Sequence, residues 1–308
     1  MPMLLPPFDQ DTPLFRGNLH GHTINSDGLK PAADVVSCYQ KLGYDFIALS
    51  DHLWHDNAFA AERVTDGSPY DDSHFITIPS AELHCFGKRY DQDGLWHIVA
   101  NGLPLNFDIA SKDEDISTLI SRAIAAGAYI SLAHPEWHSM TSDEAIMAST
   151  AHAVEVYNYS CAITSNRGSG IAVADILLQE GHRISFTATD DSHFKGLDYG
   201  GGWVMVGASE LTTDSIVTAL KAGRHYSSTG VEIHAIIIDD NALHISCSPA
   251  HHIIISGQGY AADAVHGNNL TYAVFDLADF ASPFFRITVL NNDGSKAWSN
   301  PYWFDQLR

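Results

Sequence analysis

Apolar residues recur along the first two thirds of the chain in short continuous runs. The runs 45–50, 75–81, 96–100, 128–133, 153–158 and 184–189, with another ending before Asn18, read as seven strands buried on both faces. Between them lie segments with apolar residues at three- and four-residue spacing, four of the five stopping at glycine. These are 34–42 before Gly43, 113–126 before Gly127, 142–149, 170–180 before Gly181 and 213–222 before Gly223. Strands and helices interleaved in this way predict the α/β class, as a parallel (β/α) barrel rather than a doubly wound sheet. No Gly-x-Gly-x-x-Gly follows a strand, which argues against a dinucleotide site.

After Gly230 the pattern changes. Short β-type runs at 232–238, 242–248, 253–256, 270–276 and 284–290 are separated by turn-forming clusters such as His266-Gly267-Asn268-Asn269, with no helical pattern between them. That spacing predicts a small antiparallel β domain over 231–308, after a barrel over 1–230. The expected role of this tail is to cover the barrel or to mediate self-association.

Composition narrows the picture. The chain has 308 residues, 45% of them hydrophobic, enough for one large domain and a small one. A net charge of -21 argues against a nucleic-acid groove, which would need a basic stripe. The start, from Met1 to Pro7, has no charged segment and no long apolar core, so it does not read as a signal peptide, and no stretch approaches a membrane span. A cytoplasmic protein is the expectation. Four cysteines with no Cys-x-x-Cys pair make a thiolate zinc site or a disulfide scaffold unexpected. Histidine is abundant, at 18 residues against 16 for lysine and arginine together.

Those histidines cluster where strands end. His20-Gly21-His22 follows the first run, and residues two apart on an extended chain face the same way. Asp27 follows in a Ser-Asp-Gly loop. Other runs end in Asp51-His52, Glu82, His134-Pro135 and Asp190-Asp191-Ser192-His193, and His97 begins the run 96–100. An α/β barrel carries its chemistry at such a rim. Imidazole and carboxylate together suit zinc, manganese or iron. His74, His152, His182, His244, His251, His252 and His266 read as structural.

Taken together, His20-x-His22, Asp27, Asp51-His52, Glu82, His97, His134-Pro135 and Asp191-x-His193 resemble the polymerase and histidinol phosphatase (PHP) family of metallo-hydrolases, over roughly residues 15 to 230. The resemblance implies a distorted seven-stranded barrel with two or three divalent ions. By resemblance His20, His22, Glu82 and Asp191 hold one ion, Glu82, His97 and His134 a second, and Asp27, His52 and His193 a third. The Asp-x-His pattern selects Asp191 over Asp190, which is expected to be a supporting or solvent-facing group. Asp51 is expected to orient His52. Gly200-Gly201-Gly202-Trp203, the segment 223–230 and the segment 294–301 look like the carbaryl-hydrolase (CehA/McbA) branch.

The implied activity is metal-dependent hydrolysis by activated water, with a small phosphorylated, anionic molecule as the expected substrate. The alternative is a carbamate, amide or carboxylic ester, and a non-catalytic metal-binding module ranks third. His193, Glu82 and Asp191 are the expected catalytic residues, with His138 and His55 as further proton carriers. Asn158, His138, Arg167 and Lys195 are the expected substrate contacts, and Arg89 is a further basic candidate. Glu155 is left out, because alternation pairs it with Tyr157. Glu136, where a basic phosphate clamp would be expected, weakens the phosphate reading. Trp54, Trp137 and Trp203 are candidate stacking walls. The sequence selects no oligomeric state.

Overall fold

The computed structural model describes residues 2–55 and 58–307; Met1 of the N-terminal stretch lies outside them. The fold is mixed α/β, with a large mixed sheet and few helices. Seven strands position the rim: β1 (Leu14–Asn18), β2 (Phe46–Leu49), β3 (Ile76–Leu83), β4 (Ile98–Asn101), β5 (Tyr129–Leu132), β6 (Ala153–Asn158) and β7 (Ser185–Thr189). Pairing is parallel from β1 through β2 to β3, and again from β5 through β6 to β7. Beyond the ends of β7 and β1, a parallel bridge joins Gly21 to Ser192, with the His22 amide donating to the Ser192 carbonyl at 2.8 Å.

One strand departs from the all-parallel expectation. β4 runs against both β3 and β5. The link over 84–97 contains no helix and folds back on itself, with Gly87 N–H donating to Gly94 O at 2.9 Å and Trp96 N–H to Cys85 O at 2.8 Å. A parallel neighbour needs a crossover, usually a helix, and this link is a hairpin. His97, which precedes β4, therefore sits at the same rim as residues that follow the other strands.

The helices follow their local signals. They are α1 (Ala32–Lys41), α2 (Ile116–Ala125), α3 (Ser142–Met147), α4 (Tyr159–Ser165), α5 (Ile171–Gln179) and α6 (Thr213–Lys221). Asp115 caps α2 by accepting the Thr118 amide at 2.8 Å, two residues later than the expected start. Thr141 and Glu144 form a reciprocal capping box on α3. The short α4 lacked a periodic pattern; it is nucleated by Asn158, whose Oδ1 accepts the Cys161 amide.

β8 (Trp203–Gly207) and β9 (His225–Ser228) pair antiparallel and lead into the C-terminal strands. These are β10 (Ile233–Asp239), β11 (Ala242–Ser256), β12 (Ala262–Asp276), β13 (Phe284–Leu290) and β14 (Lys296–Ser299), in antiparallel pairs. β11 merges two runs expected to be separate, and β12 passes through the expected turn at 266–269. Register shifts between Ser246 and Ala250 and between Ala250 and His252 absorb Pro249, and Asn269 takes the left-handed conformation at φ 55°. Successive residues on β13 point to opposite faces: Phe284, its ring 5.0 Å from Trp303, belongs to the buried cluster that includes Phe186 and Leu177, while Phe285 belongs to the cluster of the C-terminal strands with Phe275, Ile253 and Ile287. A bidentate ion pair, Arg286 to Asp175 at 3.0 Å for both bonds, ties β13 to α5. Among the described residues no helix is long and apolar enough to cross a membrane.

Candidate metal centre

The residues singled out at the strand ends meet. After β1, alternation turns His20 and His22 to the same side, and both are fully buried. Gly21 between them is required by close approach, because a Cβ there would lie 2.9 Å from Ser192 Oγ. Glu82, near the end of β3, is equally buried and divides its two oxygens. Oε2 faces His20 Nε2 at 3.3 Å, His22 Nε2 at 3.4 Å and His52 Nδ1 at 2.9 Å, whereas Oε1 faces His97 Nδ1 at 2.6 Å and His134 Nε2 at 3.0 Å. Asp191 Oδ1 lies 3.0 Å from His22 Nε2 and 3.2 Å from His20 Nε2. On the outer side, Asp27 Oδ1 lies 3.2 Å from His193 Nε2 and 3.4 Å from His52 Nε2.

Among the described residues, three four-residue groups have donor atoms within 4.8 Å of one another: His20, His22, Glu82 and Asp191; His22, Asp27, His52 and His193; and His52, Glu82, His84 and His97. Each is built from imidazole nitrogen and carboxylate oxygen, a donor set that suits zinc, manganese or iron. Asp27 Oδ1 and His134 Nδ1 are buried without a hydrogen-bond partner. Orphaned acceptors and crowded imidazoles at one place fit bound cations. His134 and Asp191 also hold left-handed backbone, at φ 27° and 53°, conformations that cost energy in non-glycine residues.

The electrostatics have the same sense. Burial would push the Glu82 carboxyl up, but the His52, His97 and His20 imidazoles hold it well below the usual range. Asp191 is likewise held low, by His20, His22 and His193 against the effect of burial. Burial pulls His97 down, yet the carboxylates of Glu82 and Asp91 raise it to about 9. His193, similarly, is lifted to about 9 by Asp27 and Asp191. His22 falls to about 4 through burial and repulsion from His193 and His52. The carboxylates stay charged and retain positive charge beside them, protons here or divalent ions when bound.

Two supporting groups differ from expectation. Glu155, left out above, points inward: Oε1 accepts His20 Nδ1–H at 2.7 Å and Thr189 Oγ–H at 2.9 Å, while Oε2 accepts the His134 amide at 2.8 Å and Asn158 Nδ2–H at 3.0 Å. The register of β6 slips between Glu155 and Tyr157, and that bulge breaks the alternation on which the exclusion rested. Asp51 does not orient His52. Its oxygens accept from Thr23 N and Oγ1, Ser26 Oγ and Thr65 Oγ1, which holds the loop carrying Asp27. Asp190 takes the supporting one of its two expected places: it is fully buried, accepting the amides of Gly200, Gly201 and Gly202 at 2.6, 2.8 and 2.8 Å and the Tyr39 hydroxyl at 2.7 Å. His84 was also passed over, although Glu82-x-His84 carries the same two-residue alternation as His20-x-His22.

The expected substrate contacts separate. Lys195 sits at the rim, half exposed, with Nζ 2.6 Å from Asp27 Oδ2, beside a cleft of about 240 Å³ that Lys195, His193, Ser160 and Asp198 help to line. His138 is buried against His134 and His97, ring centres 5.4 and 5.8 Å away, and neither of its nitrogens has a partner. Asn158 directs its hydrogen bonds to Glu155, to Cys161 N and, at 3.2 Å, to Asp191 Oδ2, so it braces protein groups. Arg167 is exposed and donates to the Trp137 carbonyl at 3.4 Å. Glu136 accepts the Ser169 amide at 2.7 Å. His55 Nε2 bonds the Ala110 carbonyl at 2.7 Å, and the Arg89 amide donates to Glu144. Of the three tryptophans, Trp137 walls the site, its ring 5.2 Å from His134; Trp54 packs a loop, and Trp203 stacks under Arg16.

No family model matches the sequence, and no curated protein matches it. Among solved structures, a two-domain protein from Bacteroides vulgatus containing a predicted PHP-like metal-dependent phosphoesterase is similar at TM-score 0.53 and 15% identity, over 98% of each chain. A candidate metal-dependent phosphoesterase from Bifidobacterium adolescentis matches at TM-score 0.40 and 15% identity, over 58% of this chain and 88% of that one. An amidohydrolase from Chromobacterium violaceum with bound sulfate and no metal matches at TM-score 0.45 and 12% identity, over 59% and 89%. Over its full length the chain thus shares its fold with that Bacteroides protein.

Proposed function

We propose that this chain is a metal-dependent hydrolase of the phosphoesterase type, acting on a small phosphorylated molecule. The observation that carries the reading is the division of Glu82, whose two oxygens face separate sets of imidazoles. Strands β1 to β7 are read as a distorted seven-stranded barrel and residues 231–308 as a small β domain. His20, His22, Glu82 and Asp191 would hold one ion, Glu82, His97 and His134 a second, and Asp27, His52 and His193 a third, with zinc, manganese or iron as the metals. Four cysteines without a disulfide support a cytoplasmic setting.

Bound divalent ions supply Lewis acidity that activates water and withdraws charge from the scissile bond. The chain's own groups do the remaining work. Glu155 fixes the His20 ring through Nδ1 and the His134 backbone through its amide, so both rings keep their aim as substrate enters. Asn158 braces Asp191. Lys195, free to leave Asp27 at the rim, offers a positive contact to an anionic group, and Trp137 screens one side from water. His193 stands on the outer side, where its Nδ1 bonds the Asp191 carbonyl at 2.8 Å and leaves Nε2 for the ion shared with Asp27 and His52, so it serves the chemistry as a ligand rather than as a proton carrier.

A second reading, hydrolysis of a carbamate, amide or carboxylic ester, is favoured by the sparse basic lining: Arg167 bonds a backbone carbonyl, and Glu136 occupies the position after His134-Pro135. Purified protein assayed with aryl phosphates and aryl carbamates, each with manganese, zinc or iron, separates the two. Phosphate turnover abolished in His134→Ala supports the first; carbamate turnover with no phosphate turnover replaces it with the second.

A further inference from the structure

Behind His52 lies an imidazole that none of the three proposed ligand sets uses. His84 is fully buried, with the rings of Phe59 and Trp54 edge-on at 6.0 and 6.4 Å. Its Nδ1 lies 2.9 Å from the Trp96 carbonyl, and its Nε2 lies 2.9 Å from His52 Nδ1. The carbonyl is itself held in place, because the Trp96 amide donates to Cys85 O and the Trp96 side chain is buried.

A carbonyl oxygen only accepts. In a neutral His84 the ring proton is therefore on Nδ1, and Nε2 presents a lone pair. The facing His52 nitrogen must then donate, so the His52 proton is on Nδ1 and its Nε2 carries the free lone pair. That Nε2 points at Asp27 Oδ1, 3.4 Å away, within the group that includes His22 and His193. A lone pair aimed at a carboxylate is repulsive until a cation lies between them. Glu82 Oε2, 2.9 Å from the same His52 nitrogen, is the other acceptor in reach, but that oxygen also faces His20 and His22.

We propose that Trp96, His84 and His52 form a tautomer relay, in which the Trp96 carbonyl sets His84, His84 sets His52, and His52 thereby offers Nε2 to the ion shared with Asp27 and His193. His84 is a positioning residue for that ion and not a ligand of the neighbouring one. The relay rests on the metal-dependent reading above. It assigns a role to a residue outside the family pattern, and it explains why a buried imidazole faces another without an ion pair between them.

The test uses the whole protein loaded with zinc, as wild type, His84→Gln and His84→Leu. Metal content is followed against graded chelator, and ring tautomers by long-range proton–nitrogen correlation. Wild type should show His84 and His52 both protonated on Nδ1. The Leu variant should release one ion roughly 10–100-fold more readily while the others stay. The Gln variant, whose side-chain oxygen can accept from His52, should recover most of that loss. Unchanged retention in the Leu variant overturns the relay alone, as does a proton or a metal-shifted resonance on His84 Nε2. Should the Leu variant fail to fold, the wild-type tautomers and the Gln variant decide. Wild type that takes up no zinc, manganese or iron overturns the metal-dependent reading and the relay with it.

Discussion

Glu155 and His20 meet at 2.7 Å, carboxylate Oε1 to imidazole Nδ1, with both side chains wholly buried. Three further donors, the His134 amide, Asn158 Nδ2 and Thr189 Oγ1, depend on the same carboxylate. Glu155→Ala leaves the His134 amide and the Thr189 hydroxyl unpaired, at roughly 1–3 kcal/mol for each buried group, and leaves Asn158 Nδ2 with Asp191 alone. The variant should unfold at distinctly lower urea than wild type. Glu155→Gln keeps the shape but loses the charge, and is expected to hold metal roughly 10–100-fold less tightly with a smaller change in stability. Urea titration with parallel metal analysis checks both; equal metal retention in the Gln variant would show that Glu155 is purely structural.

Lys195 pairs with Asp27 at the rim while remaining about half exposed. An exposed pair contributes at most about 1 kcal/mol, so Lys195→Ala should leave stability nearly unchanged. If Lys195 meets the anionic group, KM for an aryl phosphate rises several-fold and kcat moves little. A fall in kcat at constant KM would instead assign it to Asp27 and the chemistry.

Gly202 lies where β8 passes the end of β7, and a Cβ there would stand 2.6 Å from the Thr189 carbonyl. Its amide is one of three gathered by Asp190, next to Asp191. Gly202→Ala should cost roughly 1–3 kcal/mol through overpacking. Thermal melting detects this, and a variant that melts like wild type would mean that the two backbones can separate freely.

His225 is buried away from the candidate metal centre, with Nε2 bonded to the Phe186 carbonyl at 3.0 Å, and burial lowers its pKa to about 4. Because the unfolded chain protonates this ring near pH 6.5 and the folded chain only near 4, unfolded protein binds more protons between those values. The stabilisation is complete above pH 6.5 and is lost as the pH falls toward 4, by up to about 3 kcal/mol. His225→Gln should remove that part of the acid sensitivity. Urea midpoints measured from pH 4 to 7 should be flatter for the variant; parallel curves would contradict the assignment.

The candidate ligands were legible because they obey short-range rules. His20-x-His22 follows strand alternation, Glu82 and His134 each end an apolar run, and Asp191-x-His193 lies just past another, although Asp191 itself turns into left-handed backbone. Glu155 was illegible because a bulge in β6, which depends on pairing with β7, turns it inward against the local pattern. Asp51 was misread for a related reason: its partners Thr23 and Ser26 are distant in sequence, and adjacency to His52 was the only visible cue. The direction of β4 escaped too, since an apolar run is the same read either way, and only the 84–97 hairpin reverses it. The long strands β11 and β12 exceed the expected runs because the β-type pattern lapses at 249–252 and at the turn-like cluster 266–269, although register shifts carry the pairing through both.

Residue type and backbone periodicity were enough to choose which side chains can take a cation and which runs become buried strands, because donor chemistry and alternation are local. Which oxygen of Glu82 faces which imidazole, and which carboxylate or ring orients each one, was decided by packing. Those relations join residues as far apart as His20 and Glu155, and they exist only once the strands lie side by side.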